Sequence, residues 1–135
     1  MKDIKEPILL AFSTASSESA MPKTIEALET GISAIKPGNT ADDVAQAFWK
    51  ILDKYGIDKK SRTGYSIGIG YPPDWGEHTL NISKGDMTIL EPNVTFHMIA
   101  VMQFGEWGVE ASEAIRITDK GCELFCDFPK DLHIK

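Results

Sequence analysis

The stretch Thr95–Thr118, TFHMIAVMQFGEWGVEASEAIRIT, decides the fold. Apolar and polar residues alternate with period two through Thr95–Gln103 and again through Val109–Thr118, as in strands with one buried face. Gly105-Glu106-Trp107-Gly108 between them carries the glycines of a tight connection, so the two runs form an antiparallel hairpin. Alternation puts Thr95, His97, Ile99 and Val101 on one face and Phe96, Met98, Ala100 and Met102 on the other. On the second strand Glu110, Ser112, Ala114 and Arg116 share a face, and Glu113 points oppositely.

Working outward, glycine and proline punctuate further β-prone runs at Tyr65–Gly70, Thr79–Ile82, Met87–Leu90 and Cys122–Phe125, each expected to be a strand. Upstream the period changes to that of a helix. Met21, Ile25, Leu28, Ile32 and Ile35 line one helical face that ends at Lys36-Pro37-Gly38. Thr40 with Asp43 resembles a capping box, and Val44, Phe48, Leu52 and Tyr55 form a second apolar stripe stopped by Gly56. Helices followed by an antiparallel meander define a single α+β domain over residues 1–135, with two helices packed on the sheet.

Composition limits the partners. A net charge of -6 opposes binding to nucleic acid or to an anionic membrane. The apolar run Ile8–Phe12 is far shorter than the roughly 20 residues that cross a bilayer. The chain therefore reads as cytoplasmic. Cys122 and Cys126 are too few for a disulfide framework and lack the spacing of a zinc ribbon.

The segments GISAIKPGNTADDVAQAFWKILDKYGI, SRTGYSIGIGYPPDWGEHT, KGDMTILEPNVTFHMI, WGVEASEAIRITDKGCE and DFPKDLHIK carry a resemblance. Over Thr24–Lys135 the chain resembles the C-terminal half of creatinase/aminopeptidase (pita-bread) hydrolases, nearest the ectoine hydrolase branch. The resemblance implies a half pita-bread fold and cleavage of a C–N bond in a small amide or cyclic amidine. It also implies that a first half, which supplies part of the family's active site, has no counterpart in these segments. The peptidases' metal-binding His is matched by Tyr65 in Thr63-Gly64-Tyr65, and their strand glutamates by Ile99 and Ser112. An alkyl side chain cannot coordinate a cation, so no metal site and no cofactor are expected, as the resemblance to the metal-free branch also implies.

His97 and Glu110 then become the expected catalytic pair, since an imidazole titrates near neutrality and a carboxylate can orient or charge it. The same two residues also fit an exposed strand histidine and a solvated glutamate. Tyr71-Pro72-Pro73-Asp74-Trp75-Gly76-Glu77-His78 is read as one rigid loop. There Trp75 can stack on a cationic or cyclic amidine group while Asp74 or Glu77 pairs with its charge. A turn whose tryptophan caps the core is the other reading. Tyr65 either donates a hydrogen bond at the former histidine position or packs in the core.

Residues 6–29, within EPILLAFSTASSESAMPKTIEALE, are also similar to the serine-rich re-entrant hairpin of sodium:dicarboxylate symporters. Such hairpins function only inside a membrane bundle. Here the segment is expected to give an edge strand, Ile8–Ser13, and a serine-capped entry into the first helix. An isolated half-domain exposes strand edges and an apolar concave patch, which predicts a homodimer. The two functional readings are a metal-independent hydrolase of a small polar molecule and a noncatalytic binding or assembly module.

Overall fold

In a computed structural model of the chain, the structure describes residues 19–130. The expected strand Ile8–Ser13 lies outside the described residues. Two helices, α1 (residues 19–33) and α2 (Ala41–Lys54), precede five strands: β1 (Gly64–Tyr71), β2 (Asp74–Ile82), β3 (Thr95–Phe104), β4 (Trp107–Ile117) and β5 (Cys122–Leu124). All neighbours are antiparallel, in the order β2-β1-β3-β4-β5. The half pita-bread α+β architecture expected from the sequence is present.

The capping box at α2 forms as the sequence indicates. The Thr40 hydroxyl accepts from the Asp43 amide at 3.1 Å, and the Asp43 carboxylate accepts from the Thr40 amide at 2.7 Å. Two otherwise unpaired helix N–H groups are satisfied by the segment before β3: Ala41 N donates to Thr88 O and Asp42 N to Asp86 O. That use of the backbone corrects one expectation. Met87–Leu90 is not a sheet strand; it runs extended beside the start of α2, bridging Thr40 through Ile89 and bonding Asn39 and Gly38 through Leu90.

A second correction concerns the hairpin β1–β2. Tyr71–His78 is not one loop: only Pro72 and Pro73 turn the chain, and Asp74–His78 already belongs to β2. The Glu77 carboxylate accepts the Gly70 amide at an irregularity in the β1–β2 register, so charged and glycine residues that read as loop are absorbed into a strand.

The β3–β4 ladder runs without a break from Thr95↔Arg116 to Phe104↔Trp107, with Gly105 taking the positive φ of +65° that the two-residue turn requires. Phe96, Met98, Ala100 and Met102 are buried, and so are Ala111, Ile115 and Ile117 from β4. They join Leu28 of α1 and Val44, Phe48 and Leu52 of α2 in one core. Glu113 enters this face as well, and its buried carboxylate is met by Lys130 Nζ at 3.1 Å. The alternation legible in Thr95–Thr118 therefore holds in three dimensions, and it leaves His97, Ile99, Val101, Glu110 and Ser112 on the face away from the helices.

Gly64 sets how closely β1 approaches β3. A β-carbon there would lie 3.0 Å from the His97 carbonyl oxygen and 2.9 Å from Ile82 Cγ1. The missing side chain lets Tyr65 pair directly with His97 across the two strands.

Candidate functional site

Pairing of Tyr65 with His97 places both rings on the open face, edge to face, with centroids 5.5 Å apart. Tyr65 Oη lies 3.1 Å from His97 Nδ1, and Trp75 Nε1 donates to the same Oη at 3.0 Å. An indole N–H can only donate, so the phenol oxygen accepts it. With Trp75 donating to the phenol oxygen, the Tyr65 hydroxyl can pass its own hydrogen to an unprotonated Nδ1, which leaves the His97 proton on Nε2. Burial lowers the His97 pKa, opposed by the charges of Glu110 and Glu113, and the neutral ring this favours is the form that accepts from Tyr65. The rim is closed by Arg62, whose guanidinium carbon sits 4.8 Å from the Tyr65 ring centroid and whose Nη1 donates to Asn81 Oδ1 at 2.5 Å.

Of the residues singled out in the sequence, Tyr65, Trp75 and His97 are brought into one hydrogen-bonded chain. Asp74 and Glu77 are engaged within the hairpin. Asp74 accepts from Gly76 N at 3.0 Å and lies 2.6 Å from His78 Nε2, contacts that hold its carboxyl below the usual range, His78 foremost. Glu77 accepts from Gly70 N. Glu110 shares the face of His97 but pairs with Val101, whereas His97 pairs with Ala114, four residues further along β4. The strand rise makes that separation roughly 13 Å along the sheet. Tyr65, rather than Glu110, is the hydrogen-bonding partner of His97.

The charge of Glu110 also acts on Lys59, a residue that sequence reasoning passed over. Burial lowers the Lys59 pKa, and the charge of Glu110 opposes the shift. Lys59 Nζ donates to Ser61 Oγ at 2.7 Å, and the Lys59 carbonyl is anchored by Trp49 Nε1 at 3.0 Å. In the sequence Lys59 sits in Asp58-Lys59-Lys60-Ser61, which has the appearance of a solvated turn, so no local signal marks it.

The three positions that the resemblance equates with metal ligands converge on this face. Ile99 lies directly opposite Ser112, and Tyr65 is cross-strand from His97, two residues before Ile99. A phenol, an alkyl chain and a hydroxyl do not make the donor set of a divalent cation. Among the described residues there is no group of three or more His, Cys, Asp or Glu side chains placed to hold a metal.

The lowered His97 pKa has a consequence for stability. Between the folded and unfolded pKa values the unfolded chain binds more protons, so stability is full above the unfolded value, about 6.5, and falls as pH drops through this window. We expect the melting temperature to decline as pH drops below about 6.5, before the carboxylates begin to titrate. In His97→Gln that part of the decline should shrink, as followed by circular dichroism; an unchanged slope in the variant would contradict the assignment.

Comparison with known proteins agrees with this reading of the fold. The sequence model of metallopeptidase family M24 matches residues 8–120, so the similarity reaches upstream of Thr24 and takes in most of the serine-rich segment. Ectoine hydrolase of Halomonas elongata is 47% identical over 120 residues, which cover 88% of this chain and 29% of that protein. The chain thus spans less than a third of that relative's length. Two solved structures share the fold at lower identity. Dipeptidase PepE from Mycobacterium ulcerans superposes with a TM-score of 0.78 at 23% identity, covering 87% of this chain and 31% of its own. X-Pro aminopeptidase from Thermotoga maritima gives 0.77 at 20% identity, covering 86% and 32%. With most of its length matched by the family model and its helices and sheet arranged as described, the chain belongs to metallopeptidase family M24.

Proposed function

We propose that this chain forms part of a metal-independent hydrolase that cleaves a C–N bond in a small amide or cyclic amidine of the ectoine type. The observation that carries the reading is the Trp75–Tyr65–His97 chain, which stands where the metallopeptidases' histidine is replaced by Tyr65. The 47% identity to an ectoine hydrolase supports the substrate class. In this reading Tyr65 holds Nδ1 of a neutral His97. The Nε2–H of that ring then donates to the substrate's carbonyl oxygen or ring nitrogen as charge develops there. Trp75, about half exposed, offers its indole face to a planar amidinium. The noncatalytic alternative makes the same face a binding surface without turnover.

The protein containing this chain, dialysed against a strong chelator, is expected to convert ectoine to its ring-opened amide at an unchanged rate. Tyr65→Phe, which removes the hydroxyl between Trp75 and His97, is expected to lower kcat by about a hundredfold, the usual scale of one positioned acid–base group. Activity lost on chelation and restored by a divalent cation would overturn the proposal. Binding of ectoine with no turnover would favour the noncatalytic reading.

We also propose that the chain associates as a homodimer. Support comes from the tip of the β1–β2 hairpin, where Ile69 and Tyr71 are 98% and 84% exposed. Apolar side chains so placed are commonly covered by a partner. Sedimentation equilibrium at micromolar concentration should give twice the chain mass; a stable monomer would contradict this.

A further inference from the structure

Beyond the Trp75–Tyr65–His97 chain, the open face has a second polar centre at the far end of β3. The strand β1 begins opposite Met98, so the outer part of β3 is flanked by the segment Asp58–Ser61. A cleft of about 270 Å³ opens there, lined by Asp58, Lys59, Lys60, Ser61, Val101 and Gln103. Val101 and Gln103 follow His97 and Ile99 at intervals of two, so the cleft faces the same side of the sheet as the candidate site.

The hydrogen bonding of this centre has a definite polarity. Lys59 Nζ gives one of its three hydrogens to Ser61 Oγ at 2.7 Å, leaving two ammonium hydrogens and the serine's own hydroxyl hydrogen free to turn into the cleft. The Gln103 amide lines the same space. Asp58, the acidic residue of the lining, faces Lys60 at 3.8 Å, and Glu110 acts on Lys59 through its charge without contact. The backbone is fixed on both sides of the pair. The Trp49 indole holds the Lys59 carbonyl, and Thr63 bonds Ile82 O through its amide and Ile99 O through its hydroxyl. A half-buried ammonium bonded to a hydroxyl, on backbone fixed at both ends and beside an amide-lined cleft, suits the binding of an oxyanion.

We propose that Lys59, Ser61 and Gln103 bind the carboxylate of a small ligand. The site stands apart from His97: Val101, which lines the cleft, lies four residues further along β3, roughly 13 Å at the strand rise, so a small molecule bound here does not also reach the imidazole. A single negative charge fits better than a dianion, because Asp58 lines the cleft, the charge of Glu110 reaches Lys59, and the second lysine of the lining, Lys60, faces Asp58 at 3.8 Å. A phosphate dianion would meet more repulsion from the two acidic residues than a carboxylate.

The test needs no turnover. Acetate is titrated into the chain at constant ionic strength and followed by ¹H–¹⁵N NMR, with acetamide as the neutral isostere and inorganic phosphate as the competing oxyanion. Acetate should shift the amide signals of Lys59, Ser61 and Gln103 saturably, and acetamide should not. Lys59→Met should weaken acetate binding by about tenfold or more, the scale of a charge-assisted hydrogen bond. Ser61→Ala, an exposed change that leaves the fold alone, should weaken it severalfold. Binding should also fade with rising pH before an ordinary lysine would titrate, since burial lowers the Lys59 pKa. Equal shifts with acetamide, tighter binding of phosphate, or acetate affinity unchanged in both variants would overturn the site. Acetate binding without ectoine turnover would leave this site standing and remove the hydrolase reading.

Discussion

Everything on the open face depends on the unbroken register between β3 and β4. The apolar side of that ladder, from Phe96 through Met102 and from Ala111 through Ile117, is buried against Leu28 of α1 and Phe48 and Leu52 of α2. Each large side chain so buried contributes about 1.5–3 kcal/mol relative to exposure. A shift of one residue would turn these chains to solvent and bring His97, Glu110 and Ser112 under the helices. The positions of His97, Ile99, Glu110 and Ser112 are thus consequences of core packing, although none of those four belongs to the core.

Gly64 adds the third strand. Its missing side chain lets Tyr65 come against His97, and Trp75 reaches the same phenol from β2. Tyr65, Trp75 and His97 thereby form one hydrogen-bonded row of side chains on the open face, beside Ile99 and Ser112. A neutral imidazole fixed at Nδ1 by a phenol presents a donor, whereas a solvated imidazole beside a carboxylate would present a base. The contact of His97 Nδ1 with the Tyr65 hydroxyl, in place of a hydrogen bond to Glu110, favours the donor.

Much of this was legible because it follows from periodicity. The stripe Val44, Phe48, Leu52, the Thr40–Asp43 box and the alternation in Thr95–Thr118 all reflect local geometry, and the structure realises each. The failures arose where tertiary partners decide. Met87–Leu90 is β-prone, yet its carbonyls satisfy the first amides of α2, a demand invisible from its own residues. Asp74–His78 looks like loop because the Glu77–Gly70 bond that accommodates it in a strand crosses the hairpin. His97 and Glu110 were correctly assigned to one face, but alternation gives no distance along the sheet, and the partner of His97 comes from β1. Lys59 was missed for a related reason: its setting comes from β3, through Val101 and Gln103, and from the Trp49 indole that holds its carbonyl, not from any pattern in its own segment.

The central claim is that Tyr65 holds His97 as a neutral ring with Nδ1 accepting and Nε2 protonated. Long-range ¹H–¹⁵N NMR of the imidazole at neutral pH reads this state directly. The account predicts an unprotonated Nδ1 and a protonated Nε2 for His97, with the preference lost in Tyr65→Phe. A protonated Nδ1, or an imidazolium at neutral pH, would contradict it.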